Sequence, residues 1–223
     1  MVTGNAVTVA ALRTFSMFNG VPEQALQAIA RVAMMRHVAR NASVVHAGDR
    51  TDFVYLILSG SLKVLVSDEE GREVILSMLG PGELFGEMGV LDDNPRSATV
   101  SAVSPCDLVI ISKHDFKRFL QENFDVSHYI MRNLVQRLRK ADRKIESLAL
   151  MDVYGRVARL LLDMAETVNG QQVVTRKISK QDIAKMIGAS REMVSRVMKD
   201  LQMQGLIEEG DGKIILHDRI HTA

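Results

Sequence analysis

A glycine-rich segment from Pro81 to Gly89, PGELFGEMG, carries residue types that can bind phosphate. Glycine turns beside a short helix expose backbone N–H groups, which can donate hydrogen bonds to an anion. Arg96 follows this segment, and its permanently charged guanidinium can hold two phosphate oxygens at once. Ser97 adds a hydroxyl, and the carboxylate of Glu87 could accept a hydrogen bond from a ribose hydroxyl. The alternative is a glycine-rich β-turn in which the arginine pairs with a neighbouring aspartate, Asp92 or Asp93.

A second charged group lies between Arg176 and Lys199. Seven Lys and Arg residues oppose two acids, Asp182 and Glu192, which gives this window a net charge of +5 in a chain whose net charge is +1. A local basic surface of this kind is typical of contact with the phosphates of nucleic acids. The alternative is a charged surface that is simply solvated.

Two short helices joined by a tight turn are predicted to position this charged group. Ser179 and Ser190 stand where N-cap residues are expected, and Gly188 can take the left-handed conformation that ends a helix. The apolar residues of the second helix face one side, and its charged residues face the other. This spacing predicts a helix-turn-helix, and a hairpin between residues 204 and 216 makes it a winged one.

One long helix is predicted from Ser127 to Leu150, because this segment contains no Gly or Pro and is rich in helix-forming residues. Its apolar residues alternate at spacings of three and four: Met131, Leu134, Leu138, Ala141, Ile145 and Leu148. A narrow apolar stripe between charged flanks favours packing against the same helix of a second copy of the chain. A helix that packs on its own domain is the alternative.

The remaining segments suggest two domains. Residues 7–39 are predicted as short helices, and six short β-branched segments separated by turns between residues 43 and 112 predict an antiparallel sandwich or barrel. After the long helix, Asp152 is predicted to cap a helix whose apolar face extends to Val168. With 223 residues, 47% of them apolar, the chain is large enough for two cores.

Several classes of protein are disfavoured by the sequence. A single cysteine, Cys106, rules out an intramolecular disulfide framework, and this residue is expected in the core. The histidines show no metal-ligand spacing, and no nucleophile, base and orienting residue form a recognisable set, so we expect neither a metal site nor an enzyme. The absence of a long apolar segment and of a signal peptide predicts a cytoplasmic protein without a membrane contact.

Three segments, in this order around the strands and the long helix, resemble the cyclic AMP receptor/FNR (Crp-Fnr) family of bacterial transcription regulators: FGEMGVLDDNPRSATVSA, LMDVYGRVARLL and SKQDIAKMIGASREMVSRVMKDLQMQGLI. The resemblance covers nearly the whole chain. It implies an α+β protein with three parts. These are a cyclic-nucleotide-binding, jelly-roll-like β-roll with N-terminal helices (residues 1–124), a dimerisation helix (125–151) and a winged helix-turn-helix that binds DNA (152–223).

The same resemblance assigns roles to individual residues. The residues that match those holding the ribose and the cyclic phosphate are Gly86, Glu87, Arg96 and Ser97. Met88 lies close enough to line that site, although it and Phe85 are expected to be core. The residues that match the base-reading positions are Arg191, Glu192 and Arg196, and their chemistry suits guanine and cytosine edges in the major groove. The other side chains expected at the DNA are Ser179, Lys180, Ser190, Ser195 and Lys199.

The long helix departs from the family at its midpoint. In the cyclic AMP receptor a Thr-Ser pair meets the adenine there, whereas this chain has Ala141 and Asp142. Ala141 has no polar side chain, and an ionised Asp142 can only accept hydrogen bonds. A carboxylate suits the N–H groups of guanine, so the ligand could be cyclic GMP or cyclic di-GMP instead of cyclic AMP. Alternatively, Asp142 merely pairs with an arginine such as Arg139.

The leading hypothesis is therefore a homodimeric transcription regulator that a cyclic nucleotide controls and that reads a palindromic site resembling TGTGA. RNA polymerase is the further partner that the resemblance implies. Two alternatives stay open: a ligand-independent regulator of the same family, and a nucleotide-binding module that regulates a partner protein. The second alternative leaves the winged helix-turn-helix unexplained.

Overall fold

The computed structural model describes residues 2–210 and 212–217, with residues 2–6 described by their backbone alone. The chain forms two compact units, and the division falls inside the long helix, between Arg137 and Leu138. The predicted boundaries at 124 and 151 therefore stay a prediction, and their terminal residues 1 and 218–223 lie outside the described part of the chain. Among the described helices, none is long and apolar enough to cross a membrane.

The first unit is built on two antiparallel sheets. Its strands are β1 (Val2–Ala6), β2 (Met34–Val38), β3 (Ser43–Val45), β4 (Phe53–Ser59), β5 (Leu62–Ser67), β6 (Glu73–Leu79), β7 (Leu84–Phe85), β8 (Thr99–Ala102) and β9 (Cys106–Ser112). One sheet has the order β1-β2-β9-β4-β7, and the other has the order β3-β8-β5-β6. Each of the six segments predicted as strands contains one. The α+β class and the β-roll are thereby confirmed.

Short helices complete the first unit. They are α1 (Val9–Arg13), a 3-10 turn (Ser16–Phe18), α2 (Glu23–Val32), α3 (Met88–Leu91), α4 (Lys113–Glu122) and the beginning of α5 (Phe124–Leu150). Leu12, Phe18 and Phe116 form with the strands β4 and β9 a core from which water is excluded. A second core lies between the sheets and includes Ile57 and Cys106, so the expectation for the cysteine is correct.

The helical prediction for residues 7–39 is wrong at its end. Met34–Val38 is the strand β2, which pairs with β9 along its whole length, from Met34 opposite Ile110 to Val38 opposite Cys106. The helix propensity of residues such as methionine is weak, so pairing with a neighbouring strand can outweigh it. No local pattern in this segment announced that strand.

In its described residues, the second unit contains the end of α5, three further helices and one small sheet. After the end of α5 its elements are α6 (Val153–Met164), β10 (Glu166–Val168), β11 (Gln171–Val174), α7 (Lys180–Ile187), α8 (Arg191–Met203), β12 (Ile207–Gly210) and β13 (Lys213–Leu216). The sheet order is β10-β11-β13-β12, and all pairs are antiparallel. The winged helix-turn-helix is thus confirmed. Its core combines Leu161 of α6, Ile183 of α7 and Val194 of α8.

The helix after Asp152 is shorter than predicted. Asp152 caps it as expected, by accepting a hydrogen bond of 2.9 Å from the backbone N–H of Gly155. The helix ends at Met164, however, and Val168 belongs to β10 with its side chain 38% exposed. The turn at Asn169 and Gly170, both with positive φ, folds β10 onto β11. Strand pairing therefore takes Val168 away from the predicted apolar face.

Candidate functional site

The glycine-rich segment forms a tight turn between β7 and the short helix α3. Gly86 stands at this turn with φ of +81°, a conformation that glycine adopts without a steric penalty. A Cβ atom at this position would lie 2.5 Å from Nη1 of Arg96 and 3.3 Å from the ring of Tyr55. Glycine is therefore required here because the arginine occupies the space that a side chain would need.

Arg96 is buried to 7% exposure and is bonded to backbone carbonyls. Its Nη1 donates to the carbonyl oxygen of Gly86 at 2.8 Å, and its Nη2 donates to that of Phe53 at 2.6 Å. The guanidinium carbon lies 5.5 Å from the ring centre of Tyr55, within the range of a cation–π contact. Burial raises the pKa of Tyr55, and the charge of Arg96 opposes that rise.

The alternative in which Arg96 pairs with a neighbouring aspartate is wrong. Asp93 accepts from Nζ of Lys113 at 2.6 Å and from Nζ of Lys117 at 2.7 Å. The side chain of Asp92 instead accepts from that of Asn94 at 3.0 Å. Both aspartates are thus occupied in the loop, and the arginine points into the protein.

Glu87 is the second buried charge of this turn, at 2% exposure. Its Oε1 accepts a hydrogen bond from Nη1 of Arg137, which lies fifty residues further along the chain on α5. Its Oε2 is buried and has no hydrogen-bond partner in the described residues. Sequence reasoning missed Arg137, because it is one of several arginines that flank the apolar stripe of α5. Only a search for the cation that pairs with a buried Glu87 could have pointed to Arg137.

The remaining predicted residues of this site differ in burial. Ser97 is exposed next to Arg96. Phe85 is core, stacked on Tyr55 with ring centres 4.8 Å apart. Met88 is 49% exposed, so the expectation that it is core is wrong, because the first residue of α3 turns its side chain to the surface. Ala141 and Asp142 lie on α5 in the second unit, and both are exposed.

Serine side chains fix the two helices of the second unit. Ser179 accepts from the backbone N–H of Asp182 at 3.0 Å, and Ser190 accepts from that of Met193 at 3.1 Å. Gly188 ends α7 with φ of +65°, and its N–H bonds the carbonyl oxygen of Ala184. Both caps and the turn are as predicted, because each depends on residues at most four apart in the sequence.

Arg156 is a positioning residue that the sequence did not reveal. It lies on α6, and its Nη1 donates to the carbonyl oxygen of Ile187 at 3.0 Å. A cation at the last carbonyls of a helix is favourable because those groups lack partners within the helix. Arg156 thereby holds the end of α7 against α6.

The outer face of α8 presents the predicted DNA-contacting residues. Its exposed members are Arg191, Glu192, Arg196 and Lys199, and Ser195 is half-buried. The pKa of Glu192 is lowered by its own backbone N–H and by the hydroxyl of Ser190, so its carboxylate is ionised at neutral pH. Lys180, at the start of α7, lies 3.9 Å from a carboxylate oxygen of Glu209 on the wing.

Comparison with known proteins decides the family. Residues 35–123 match the model of the cyclic nucleotide-binding domain, and residues 155–220 match that of the Crp-like helix-turn-helix domain. The chain belongs to the Crp-Fnr family of transcription regulators. It combines a cyclic nucleotide-binding domain with a DNA-binding domain, and its curated homologues are regulators and not enzymes.

Two curated relatives and one solved structure illustrate this similarity. The regulator CRP of Pasteurella multocida is 37% identical over 79% of this chain and 86% of its own length, and it is described as cAMP-activated. Vfr of Pseudomonas aeruginosa, also described as cAMP-activated, is 37% identical over 77% of this chain and 84% of its own. The structure of the c-di-GMP responsive regulator CLP of Xanthomonas campestris is 26% identical with a TM-score of 0.73. It covers 88% of this chain and 99% of its own.

The described residues hold no group of three or more His, Cys, Asp or Glu side chains that could bind a metal ion.

Proposed function

We propose that this Crp-Fnr regulator acts as a homodimer that binds a cyclic nucleotide in the turn around Gly86 and thereby controls binding to a palindromic operator. Residues 1–124 would sense the nucleotide, residues 125–151 would join two copies, and residues 152–223 would bind DNA in the cytoplasm. RNA polymerase would be the partner at the promoter. The observation that carries the proposal is a turn that buries two opposite charges, Glu87 and Arg96, without pairing them to each other.

The turn contains groups for both a phosphate and a ribose. The Nε atom of Arg96 is buried without a partner in the described residues, so this guanidinium retains a donor for an anion. Ser97 adds an exposed hydroxyl beside it. Oε2 of Glu87 retains an acceptor that suits a ribose hydroxyl, while Arg137 compensates the charge of this carboxylate. An unpaired buried polar atom is costly, and a ligand that pairs with it recovers that cost.

The long helix supports the dimer. Four large apolar residues of its predicted stripe are exposed by 49–65%: Met131, Leu138, Ile145 and Leu148. Leu134 is half-buried because it packs against the core of the first unit. Val135, which is 50% exposed, supplies an outward apolar side chain one position later. A row of exposed apolar residues on one helix is costly in water and is covered when a second copy packs on it.

The nucleotide itself is open between two classes. Two relatives are described as cAMP-activated, and one as c-di-GMP responsive. Asp142 favours guanine, because an ionised carboxylate only accepts hydrogen bonds. It could accept them from the N1–H and N2–H groups of guanine. Titration calorimetry with cyclic AMP, cyclic GMP and cyclic di-GMP would decide. Tight binding of cyclic AMP alone would refute the guanine hypothesis, and an Asp142→Asn variant would then bind as the wild type does.

The DNA contact is proposed on the outer face of α8. Arg191, Glu192 and Arg196 would read bases in the major groove, and Lys180, Lys199 and the serines Ser179, Ser190 and Ser195 would hold phosphates or the register. A gel-shift assay on a palindromic TGTGA-type duplex, with each nucleotide and without, tests this function. A shift that needs nucleotide supports it. A shift of equal strength without nucleotide would favour a ligand-independent regulator, and no shift under any condition would favour a module that acts on a partner protein.

A further inference from the structure

Met193 is an exposed apolar residue in the first turn of α8. Its side chain is 44% exposed, while Val194 beside it is fully buried and Met198 is 1% exposed in the core of the second unit. Met193 does not belong to that core. A single exposed apolar residue needs no explanation by itself. Its position among the base-reading residues does.

The backbone of Met193 is held where a recognition helix enters the major groove. Its N–H donates to the hydroxyl of the capping Ser190 at 3.1 Å, so the residue lies in the first turn of the helix. Glu192 precedes it, and Arg196 follows three residues later, a spacing at which side chains are neighbours on a helix surface. The N-terminal residues of a recognition helix are those that contact base edges.

The chemistry of this group leaves one base feature unread. Arginine recognises the acceptors of guanine, and glutamate recognises the amino group of cytosine, but neither suits the C5-methyl group of thymine. That methyl group is apolar and projects into the major groove. A methionine is apolar and unbranched, and it adapts to irregular surfaces. Met193 provides this chemistry between Glu192 and Arg196.

We propose that Met193 is a specificity-determining residue that contacts the C5-methyl group of a thymine next to the base pairs read by Glu192 and Arg196. The inference rests on the proposed DNA-binding function and adds a base-reading residue to it. Burial of one methyl group changes affinity about fourfold, so two half-sites of a palindrome change it about 15-fold.

Uracil substitution tests the contact directly, because uracil lacks only the methyl group. A duplex is first selected from a random pool with the full-length protein in separate experiments with cyclic AMP, cyclic GMP, cyclic di-GMP and no nucleotide. Each thymine is then replaced by uracil in both half-sites, and the affinity is measured by fluorescence anisotropy. We expect one thymine position at which uracil lowers the affinity of the wild type about 15-fold. The same substitution should not change the affinity of Met193→Ala. Met193→Leu should retain the discrimination, and Met193→Gln should lose it.

The same helix supplies a matched control. Met203 is also apolar and is 76% exposed, but it is the last residue of α8, ten positions away from Met193. Met203→Ala should respond to every uracil as the wild type does. The proposal is overturned if no uracil position separates the wild type from Met193→Ala, or if the variant loses affinity equally on all duplexes. Failure of the wild type to select any duplex would instead refute DNA recognition itself.

Discussion

Two charged residues are buried at the glycine-rich turn of the first unit (the glycine turn, residues 81–89), whereas charged residues are exposed on α8, the recognition helix of the second unit. Glu87 and Arg96 are 2% and 7% exposed, and each is bonded to other protein atoms. Arg191 and Arg196, by contrast, are exposed on a helix whose backbone is fixed by local caps. If the first site binds a nucleotide as proposed, its charged groups must exchange or complete their hydrogen bonds, whereas those proposed to contact DNA are already exposed.

This difference predicts where stability and function are coupled. A buried charge stabilises or destabilises according to its partners, and removal of one partner leaves the others unsatisfied. An exposed charge on a capped helix contributes little to folding, because solvent screens it. Substitutions in the turn should therefore change both folding and ligand affinity, and substitutions on the outer face of α8 should change DNA affinity alone.

The largest effect is expected for Arg96→Ala. Two backbone carbonyls, those of Gly86 and Phe53, lose their donor, and the contact with Tyr55 disappears. The free energy of unfolding should fall by about 3–6 kcal/mol, because two hydrogen bonds from a charged group, each worth about 1.5–3 kcal/mol, are lost. Nucleotide affinity should fall by a factor of about 100 or more, since a charged hydrogen bond is worth about 1.5–3 kcal/mol and the site is distorted as well. Urea unfolding and calorimetry measure the two effects.

Arg50→Ala is the matched control for this prediction, because the side chain of Arg50 is 92% exposed and lies 3.9 Å from Asp52 in a long ion pair. Its stability and nucleotide affinity should be those of the wild type. If Arg96→Ala kept its nucleotide affinity, the anion site would have to lie elsewhere. If Arg50→Ala lost as much, the contrast between buried and exposed charge would fail.

Arg196→Ala tests the other side of the comparison. Loss of an arginine that reads a base should weaken binding to the selected duplex by about 1–3 kcal/mol for each half-site, with the melting temperature unchanged. Lys199→Ala would remove a proposed phosphate contact and should instead weaken binding to selected and scrambled duplexes alike. Anisotropy titrations on both duplexes separate the two residues. An equal loss for Arg196→Ala on the scrambled duplex would contradict a base-reading role.

A smaller effect is expected at the turn of the helix-turn-helix. Gly188 has φ of +65°, so Gly188→Ala should destabilise the protein by about 1–2 kcal/mol through the left-handed backbone. Gly155 is the control, because it lies inside α6, where the atom nearest to an added Cβ is 3.5 Å away. Gly155→Ala should be neutral or stabilise by up to about 1 kcal/mol. Thermal unfolding measures both changes in stability. If Gly155→Ala were the more destabilising of the two, the left-handed turn would not be the reason for glycine at position 188.

Sequence reasoning succeeded where the causes are local. The caps at Ser179 and Ser190 and the turn at Gly188 all depend on residues a few positions apart, so the chain order reveals them. The glycine turn of the first unit was found by its residue types, but its internal bonds were not. Arg96 bonds a carbonyl 43 residues away at Phe53, and Glu87 bonds a side chain 50 residues away. Only the fold brings such pairs together.

The two wrong segments have a related origin. Met34–Val38 is a strand because β9 lies next to it, and Val168 leaves the helix because β11 pairs with its segment. The partner β9 is distant from β2 in the sequence, whereas β11 follows β10 after a two-residue turn. In both cases strand pairing outweighs a helical tendency worth a few tenths of a kcal/mol per residue. The exposure of Met88 is also hard to predict, because the apolar character of a side chain does not determine which face of a short helix it lies on.

The smallest effect concerns charges that lie near the glycine turn but are exposed. Lys113 and then Lys117 lower the pKa of Asp93 to about 2. Because the folded-state pKa lies below the unfolded value of about 3.9, this ion pair stabilises the fold fully above that value, and its contribution is lost as pH falls toward and through about 2. Asp93→Asn should therefore flatten the dependence of the unfolding free energy on pH between about 4 and 2. Asparagine tolerates the φ of +61° at this position, so the loop should keep its shape. Removal of both lysines should flatten the pH dependence of the unfolding free energy in the same interval. An unchanged slope in either variant would show that this exposed cluster near the glycine turn contributes no more to stability than the exposed charges of α8.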